Sequence, residues 1–111
     1  MKLDNIFRRP ESLDQEWIET LWQTPSFRLE RIVSAGHSTP PGQWYDQDSD
    51  EWVVLLRGSA GLLFEGEAQA RVLQPGDYML IPAHRRHRVE WTAAEEETVW
   101  LALFHTLPGD T

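Results

Sequence analysis

The spacing of apolar residues changes near residue 26, from a helical to a strand-like period. In RRPESLDQEWIETLWQ, residues 8–23, Leu13, Trp17 and Leu21 recur every four residues and would share one face of a helix. Pro10 suits the first helical turn, where its missing N–H is not needed, and Pro25 ends the pattern. The pattern predicts one short amphipathic helix in an N-terminal segment, residues 1–25, docked on the rest of the chain.

Beyond this segment, apolar residues alternate or run together over short stretches, as they do in β-strands. The stretches are FRLERIVSA, EWVVLLRG, SAGLLFEGEAQARVL, QPGDYMLIPA, HRVEWT and TVWLALFH. Gly and Pro separate them, and the third folds back around Gly66 as a hairpin. About seven short strands at regular spacing predict an all-β sandwich or barrel over residues 27–105. With 111 residues, the chain is predicted to be a single domain, residues 1–111.

The last predicted strand is apolar on both of its faces. One face carries Val99, Leu101 and Leu103, and the other carries Thr98, Trp100, Ala102 and Phe104. A strand of this kind is covered on both sides. The barrel interior covers one side, and the N-terminal helix or a second subunit must cover the other. We therefore expect a homodimer, although the helix alone could suffice.

Composition excludes several classes of function. Ten basic and 18 acidic residues give a net charge of −8, which argues against nucleic acid or an anionic membrane as the main partner. The chain has no cysteine, so any metal would need oxygen or imidazole ligands. It also lacks a Gly-X-Ser-X-Gly elbow and a phosphate-binding loop. The first residues lack the apolar core of a signal peptide, so a cytoplasmic protein is expected.

Two spacings in the strand region suggest a known fold. Within WYDQDSDEWVVLLRG, residues 44–58, Glu51 is followed by six residues and Gly58. Further on, GDYMLIPAHRRH places Gly76, Pro82 and His87 with five and four residues between them. These spacings resemble the two motifs of the cupin superfamily over residues 27–105. The resemblance implies a double-stranded β-helix, or jelly roll, and the sequence is similar to a bacterial group of small single-domain cupins.

The same resemblance implies a metal site, which this sequence alters. In cupins, two histidines, the glutamate and the last histidine hold a divalent metal. With a four-residue spacing the two histidines become Trp44 and Asp46, and with a three-residue spacing they become Tyr45 and Gln47. Asp46, Glu51 and His87 are therefore the expected ligands, for Mn²⁺, Zn²⁺, Fe²⁺ or Mg²⁺. His84, which occupies the position of a cupin turn glycine, and Gln47 are secondary candidates.

Aromatic residues suggest a pocket beside these ligands. Trp91 has the strand parity of His87 and is expected, with Trp44, to line the interior. One hypothesis is a metal-dependent isomerase, lyase or oxygenase that acts on a small polar molecule. A second is a metal-free binding or sensing module, in which the same residues hydrogen-bond a small ligand such as a sugar or organic acid. A purely structural or partner-binding barrel is a third.

Overall fold

Eight antiparallel strands form the computed structural model of this chain, which describes residues 1–106. The predicted domain also includes residues 107–111, which lie outside the described range. The strand bounds are β1 Trp17–Gln23, β2 Phe27–Ser34, β3 Asp50–Arg57, β4 Ala60–Phe64, β5 Arg71–Leu73, β6 Tyr78–Ile81, β7 His87–Thr92 and β8 Thr98–His105. The predicted all-β jelly roll is confirmed.

The strands make two sheets with a shared apolar core. The larger sheet has the order β1-β2-β8-β3-β6, and the smaller has the order β5-β4-β7. Each inner face contributes alternate residues, as the pleat requires. The larger sheet contributes Val53, Leu55, Ile81, Trp100, Ala102 and Phe104, and the smaller contributes Ala60, Leu62, Phe64 and Leu73.

The predicted N-terminal helix is wrong. Trp17–Gln23 is strand β1, which pairs with β2 from Trp17 opposite Val33 to Gln23 opposite Arg28. A register shift between Thr20 and Trp22 inserts Leu21 as an extra residue. A short isolated helix would be marginal in water, whereas the edge of the sheet supplies partners for the backbone of this segment. Within residues 1–106 no helix could cross a membrane.

The residues before β1 are held against the larger sheet by a buried arginine. Arg31 lies on the outer face of β2 and is only 1% exposed. Its Nε donates to Glu19 Oε1 at 2.9 Å, and its Nη1 donates to the backbone carbonyls of Ile6, at 3.2 Å, and Arg8. Because an unpaired buried guanidinium would be costly, these carbonyls fix the N-terminal segment across part of the outer face.

Candidate functional site

The two sheets enclose a cavity of about 200 Å³ at which several polar side chains meet. Its polar lining residues are Glu16, Arg28, Glu30, Tyr45, Gln47, Glu51 and His87. Apolar residues from both sheets complete the wall, namely Ile18, Ile32, Val53, Leu62, Ile81, Val89, Trp100 and Phe104. A mostly apolar wall with a few convergent polar groups is the usual construction of a small-molecule site.

A carboxylate and an imidazole meet at the floor of this cavity. Glu51, the second residue of β3, is 9% exposed, and His87, the first residue of β7, is 4% exposed. His87 Nε2 lies 3.5 Å from Glu51 Oε1. Gln47 Nε2 donates a hydrogen bond of 3.0 Å to the same carboxylate oxygen. The two ionisable groups are therefore close enough to exchange a proton through a bound ligand or one water.

The tautomer of His87 follows from its second contact. His87 Nδ1 lies 2.8 Å from the carbonyl oxygen of Arg85. Since a carbonyl can only accept, Nδ1 carries the proton, and Nε2 presents either a lone pair or a second proton to Glu51. Burial lowers the pKa of His87, but the Glu51 carboxylate and the Arg85 carbonyl raise it, and the net direction is upward. His87 is thus a stronger base than an ordinary histidine.

The residues before β3 reach the cavity through a short antiparallel bridge. Tyr45 N donates to the carbonyl of His87 at 2.7 Å, and His87 N donates to the carbonyl of Tyr45 at 3.2 Å. Tyr45 and Gln47 both line the cavity, and Asp46 between them does not. The three-residue spacing is therefore the one that the fold uses, and it places Tyr45 and Gln47 at the positions where cupins have their histidines.

Asp46 and His84, both considered as metal ligands from the sequence, lie together on the surface. Their side chains are 49% and 64% exposed, and His84 Nδ1 is 2.8 Å from Asp46 Oδ1. The hydrogen bond to Asp46 raises the pKa of His84. The backbone of His84 has a φ of 64°, a conformation that favours glycine and explains the cupin turn glycine at this position. The expected convergence of Asp46 with Glu51 and His87 is corrected, because strand alternation turns Asp46 outward.

Neither predicted pocket tryptophan lines the cavity. A register shift between Gly61 and Leu62 makes Glu90 an extra residue in β7, so that Trp91 pairs with Gly61 on the outer face of the smaller sheet. Trp91 covers Gly61, where a Cβ would stand 2.8 Å from the indole Cε2. Trp44 also lies outside, with Arg86 Cζ 5.7 Å from its ring centroid. The parity argument for Trp91 fails because the bulge reverses it.

The cavity residues provide fewer metal ligands than the sequence suggested. Residues 1–106 contain no group of three His, Cys, Asp or Glu side chains that could hold a metal ion. Glu51 and His87 could each supply one donor, but Gln47 donates from its amide nitrogen to Glu51 and so presents a hydrogen-bond donor there. Catalytic metal sites in proteins typically have three protein ligands. The donor set at the cavity floor therefore does not fit a tightly held resident ion.

The comparisons with known proteins agree with this fold. The Cupin domain family matches residues 30–104. This chain belongs to the cupin family. A solved structure from Ralstonia eutropha JMP134, described as a "putative mannose-6-phosphate isomerase", shares 44% identity with this cupin. The match covers 96% of this chain and 100% of that one, with a TM-score of 0.90. A search of curated proteins found no match.

More distant solved structures support the fold alone. A cupin superfamily protein from Desulfitobacterium hafniense DCB-2 is 20% identical, with a TM-score of 0.73 over 89% of this cupin and 84% of that chain. An RmlC-like cupin with a double-stranded β-helix, from Methanocaldococcus jannaschii, is 12% identical. Its TM-score is 0.70 over 95% of this cupin and 93% of that chain.

Sequence reasoning missed the polar residues that β1 and β2 bring to this cupin's cavity. Arg28 and Glu30 line it from β2, and Glu16 lines it from just before β1. Arg28 Nε donates to Glu30 Oε2 at 2.8 Å, and Ser34 Oγ donates to Glu16 Oε2 at 2.6 Å. The alternation of Arg28, Glu30 and Ile32 was visible in the sequence. It could have indicated a polar inner face, but the pairing of β2 with β8 was needed to place that face inside.

Proposed function

We propose that the cavity binds a small polyhydroxy compound with an aldose-type carbonyl and that Glu51 and His87 move a proton on it, as in an aldose–ketose isomerase. The observation that carries the proposal is the buried contact between Glu51 and His87 inside a cavity lined by hydrogen-bonding groups. The cavity of about 200 Å³ is equivalent to roughly six or seven waters, which suits a small molecule rather than a polymer.

Each polar group has a role in such a reaction. His87, whose Nε2 faces Glu51, takes the proton from the carbon next to the carbonyl, and the Glu51 carboxylate stabilises the resulting imidazolium. We assign to the Gln47 amide and the Tyr45 hydroxyl, which belong to residues that line the cavity, hydrogen bonds to the carbonyl oxygen as it gains charge. Burial and the Glu16 carboxylate raise the pKa of Tyr45, which keeps its hydroxyl protonated as a donor. The hydroxyl proton on O2 then passes to O1, and His87 returns the proton taken from C2 to C1. These transfers give the ketose with no net gain or loss of protons and no co-reactant.

The description of the Ralstonia protein supports the choice of an aldose. That protein is 44% identical over nearly the whole chain and is described as acting on a sugar phosphate. Carboxylates and amides are good partners for sugar hydroxyls, and the aromatic walls from Tyr45, Trp100 and Phe104 suit the apolar faces of a sugar. We therefore propose that the small polar ligand expected from the sequence is an aldose.

The divalent metal expected from the family stays a prediction. The roles proposed for Glu51 and His87 do not depend on it. If an ion does bind, the ligand and water would have to complete the coordination that the chain leaves short. Activity that persists in a strong chelator is expected from the proton-transfer roles assigned to these two residues.

The proposal is tested by following exchange of the C2 hydrogen of mannose and of mannose 6-phosphate in D₂O by NMR, with chelator present. The wild-type protein should catalyse exchange and form the corresponding ketose. Glu51→Gln and His87→Gln should each reduce the exchange rate by about 100-fold or more, because each removes a proton-transfer group. His105→Gln, at an exposed histidine of β8, is the matched control and should leave the rate unchanged.

Two outcomes separate the hypotheses. Saturable binding of either sugar without exchange would support the metal-free binding module instead of the isomerase. No binding and no exchange with either compound would contradict the proposal altogether.

A further inference from the structure

We infer that Arg28 binds an anionic group of the ligand, a carboxylate or a phosphate, while the carbonyl end of the same molecule reaches Glu51 and His87. This inference rests on the proposed function and adds the substrate class, an aldose derivative with one anionic group. It assigns a binding role to a residue at the opposite side of the cavity from the proton-transfer pair.

Strand register places Arg28 and Glu51 in one row of paired residues across the larger sheet. Arg28 on β2 is the register partner of Phe104 on β8, and Phe104 is the register partner of Glu51 on β3. Neighbouring strands lie about 4.8 Å apart, so the Cα atoms of Arg28 and Glu51 are roughly 10 Å apart. Both side chains line the cavity. The separation suits a molecule of about the length of a hexose derivative, with its charged group at one end.

The guanidinium of Arg28 is held in place with its outer N–H groups available. Its Cζ lies 4.5 Å from the centroid of the Phe104 ring, and its Nε donates to Glu30 Oε2 at 2.8 Å. Within residues 1–106, neither Nη1 nor Nη2 of Arg28 makes a hydrogen bond. A stacked guanidinium with free terminal N–H groups is suited to bidentate binding of a carboxylate or phosphate. The side chain is 41% exposed, so the anion would sit at the cavity mouth.

The other charges of the cavity restrict where an anion could bind. Glu16, Glu30 and Glu51 all line it, and they would repel an anionic group placed beside them. Among the described lining residues, Arg28 is the one permanent cation. Binding of an anionic group in the cavity therefore depends on Arg28, whereas the Glu30 carboxylate repels that group. This arrangement predicts that substitutions of Arg28 and of Glu30 change the affinity for an anionic ligand in opposite directions.

The test is calorimetric titration at fixed ionic strength with three ligands that differ only at C6: mannose, mannuronate and mannose 6-phosphate. Arg28→Gln should weaken binding of mannuronate or mannose 6-phosphate by about tenfold or more. Glu30→Gln should tighten binding of the same anionic ligand by at least about threefold. Mannose should bind the wild type and both variants within about twofold. If the affinity of mannuronate changes in this way, the bound group is a carboxylate; if that of mannose 6-phosphate changes, it is a phosphate.

The matched control is Arg57→Gln. Arg57 also stacks on a phenylalanine, with its Cζ 4.6 Å from the Phe7 ring centroid, but it does not line the cavity. This variant should bind all three ligands as the wild type does.

If the Arg28–Glu30 pair were purely structural, both substitutions would weaken binding of the anionic ligands. That result would overturn the inference. Equal binding of mannose and both anionic ligands by the wild type would also overturn it, while leaving the proposed function intact. Failure of all three ligands to bind would instead count against the proposed function, and with it this inference.

Discussion

At the scale of single residues, the directions of the side chains at positions 45 to 47 decide which residues form the site. Tyr45 and Gln47 face the cavity, and Asp46 faces solvent beside His84. The sequence allowed either set, because the spacing between the cupin histidines and Glu51 can be three or four residues. The backbone bridge between Tyr45 and His87 makes the choice, since it fixes which residue of the pair points inward. Glu51 and His87 reach the cavity as the motif spacing predicted.

The protonation of His87 should be measurable in the stability of the protein. The pKa of His87 is raised above its ordinary value of 6.5 by the Glu51 carboxylate and the Arg85 carbonyl, against the effect of burial. A raised pKa in the folded state contributes stability that is fully present below about pH 6.5 and is lost as pH rises through the raised value. The free energy of unfolding of the wild type, relative to His87→Gln, should therefore be larger at about pH 5.5 than at about pH 9.

This difference can be checked by urea unfolding of the two proteins at both pH values, with a chelator present. Because Asp46 also raises the pKa of His84, both proteins should carry His84→Gln, which leaves His87 as the group compared. An NMR titration of His87 that gives a pKa at or below 6.5 would contradict the expectation.

At the scale of elements, two β-bulges explain where periodicity failed. The extra residue at Leu21 interrupts the alternation of β1, in which Trp17 and Leu21 are spaced by four as in a helix; Leu13, the third residue of the helical pattern, lies before the strand. The extra residue at Glu90 moves Trp91 to the outer face. A bulge changes the side-chain alternation without a strong sequence signal of its own, so neither could be read from apolar spacing. Strand existence from β2 to β8 was predictable, because alternation there is bounded by Gly and Pro.

The turn between β3 and β4 depends on the motif residue Gly58. Its φ is +85°, and a Cβ there would lie 2.7 Å from Thr98 Cα and 2.8 Å from the carbonyl oxygen of Glu97. Backbone atoms cannot move aside as a flexible side chain can. We expect Gly58→Ala to lower the free energy of unfolding by about 2–4 kcal/mol, through both backbone strain and this clash.

Gly66→Ala is the control for that measurement. Gly66 has a similar φ of +91°, but a Cβ there would meet nothing within 4 Å. Its loss of stability should be only about 1 kcal/mol, from the backbone alone. Equal losses for the two variants in urea unfolding would show that the clash at Gly58 is not the cause.

At the scale of the whole molecule, an apolar row crosses the outer face of the larger sheet. The row runs from β1 to β6 through register partners, and consists of Trp22, Leu29, Leu103, Trp52 and Leu80. Trp22 is 61% exposed and Leu80 62% exposed. The N-terminal segment, fixed to Arg31, covers a different part of this face. We propose that a second copy of the chain covers the row by packing sheet against sheet, which also accounts for the two-sided apolar β8.

Leu80→Glu tests the homodimer. A carboxylate buried in an apolar interface is costly, so the variant should be a monomer by light scattering, where the wild type should be a dimer. Val72→Glu is the matched control, because Val72 is similarly exposed, at 55%, but belongs to β5 in the smaller sheet. A wild-type protein that remains a monomer at high micromolar concentration would contradict the proposal.

The sequence alone determined the fold class and the two residues at the cavity floor. Strand-length alternation between Gly and Pro turns predicts a β-sandwich or barrel. The resemblance to the cupin motif spacings then selects Glu51 and His87, which lie on β3 and β7. Only the tertiary structure decided what surrounds them. Strand order brings Arg28 and Glu30 of β2 to the same cavity, and the bulge at Glu90 removes Trp91 from it. The reason is physical: apolar periodicity records which residues are buried, whereas pairing between distant strands and the bulges within them decide which buried residues meet.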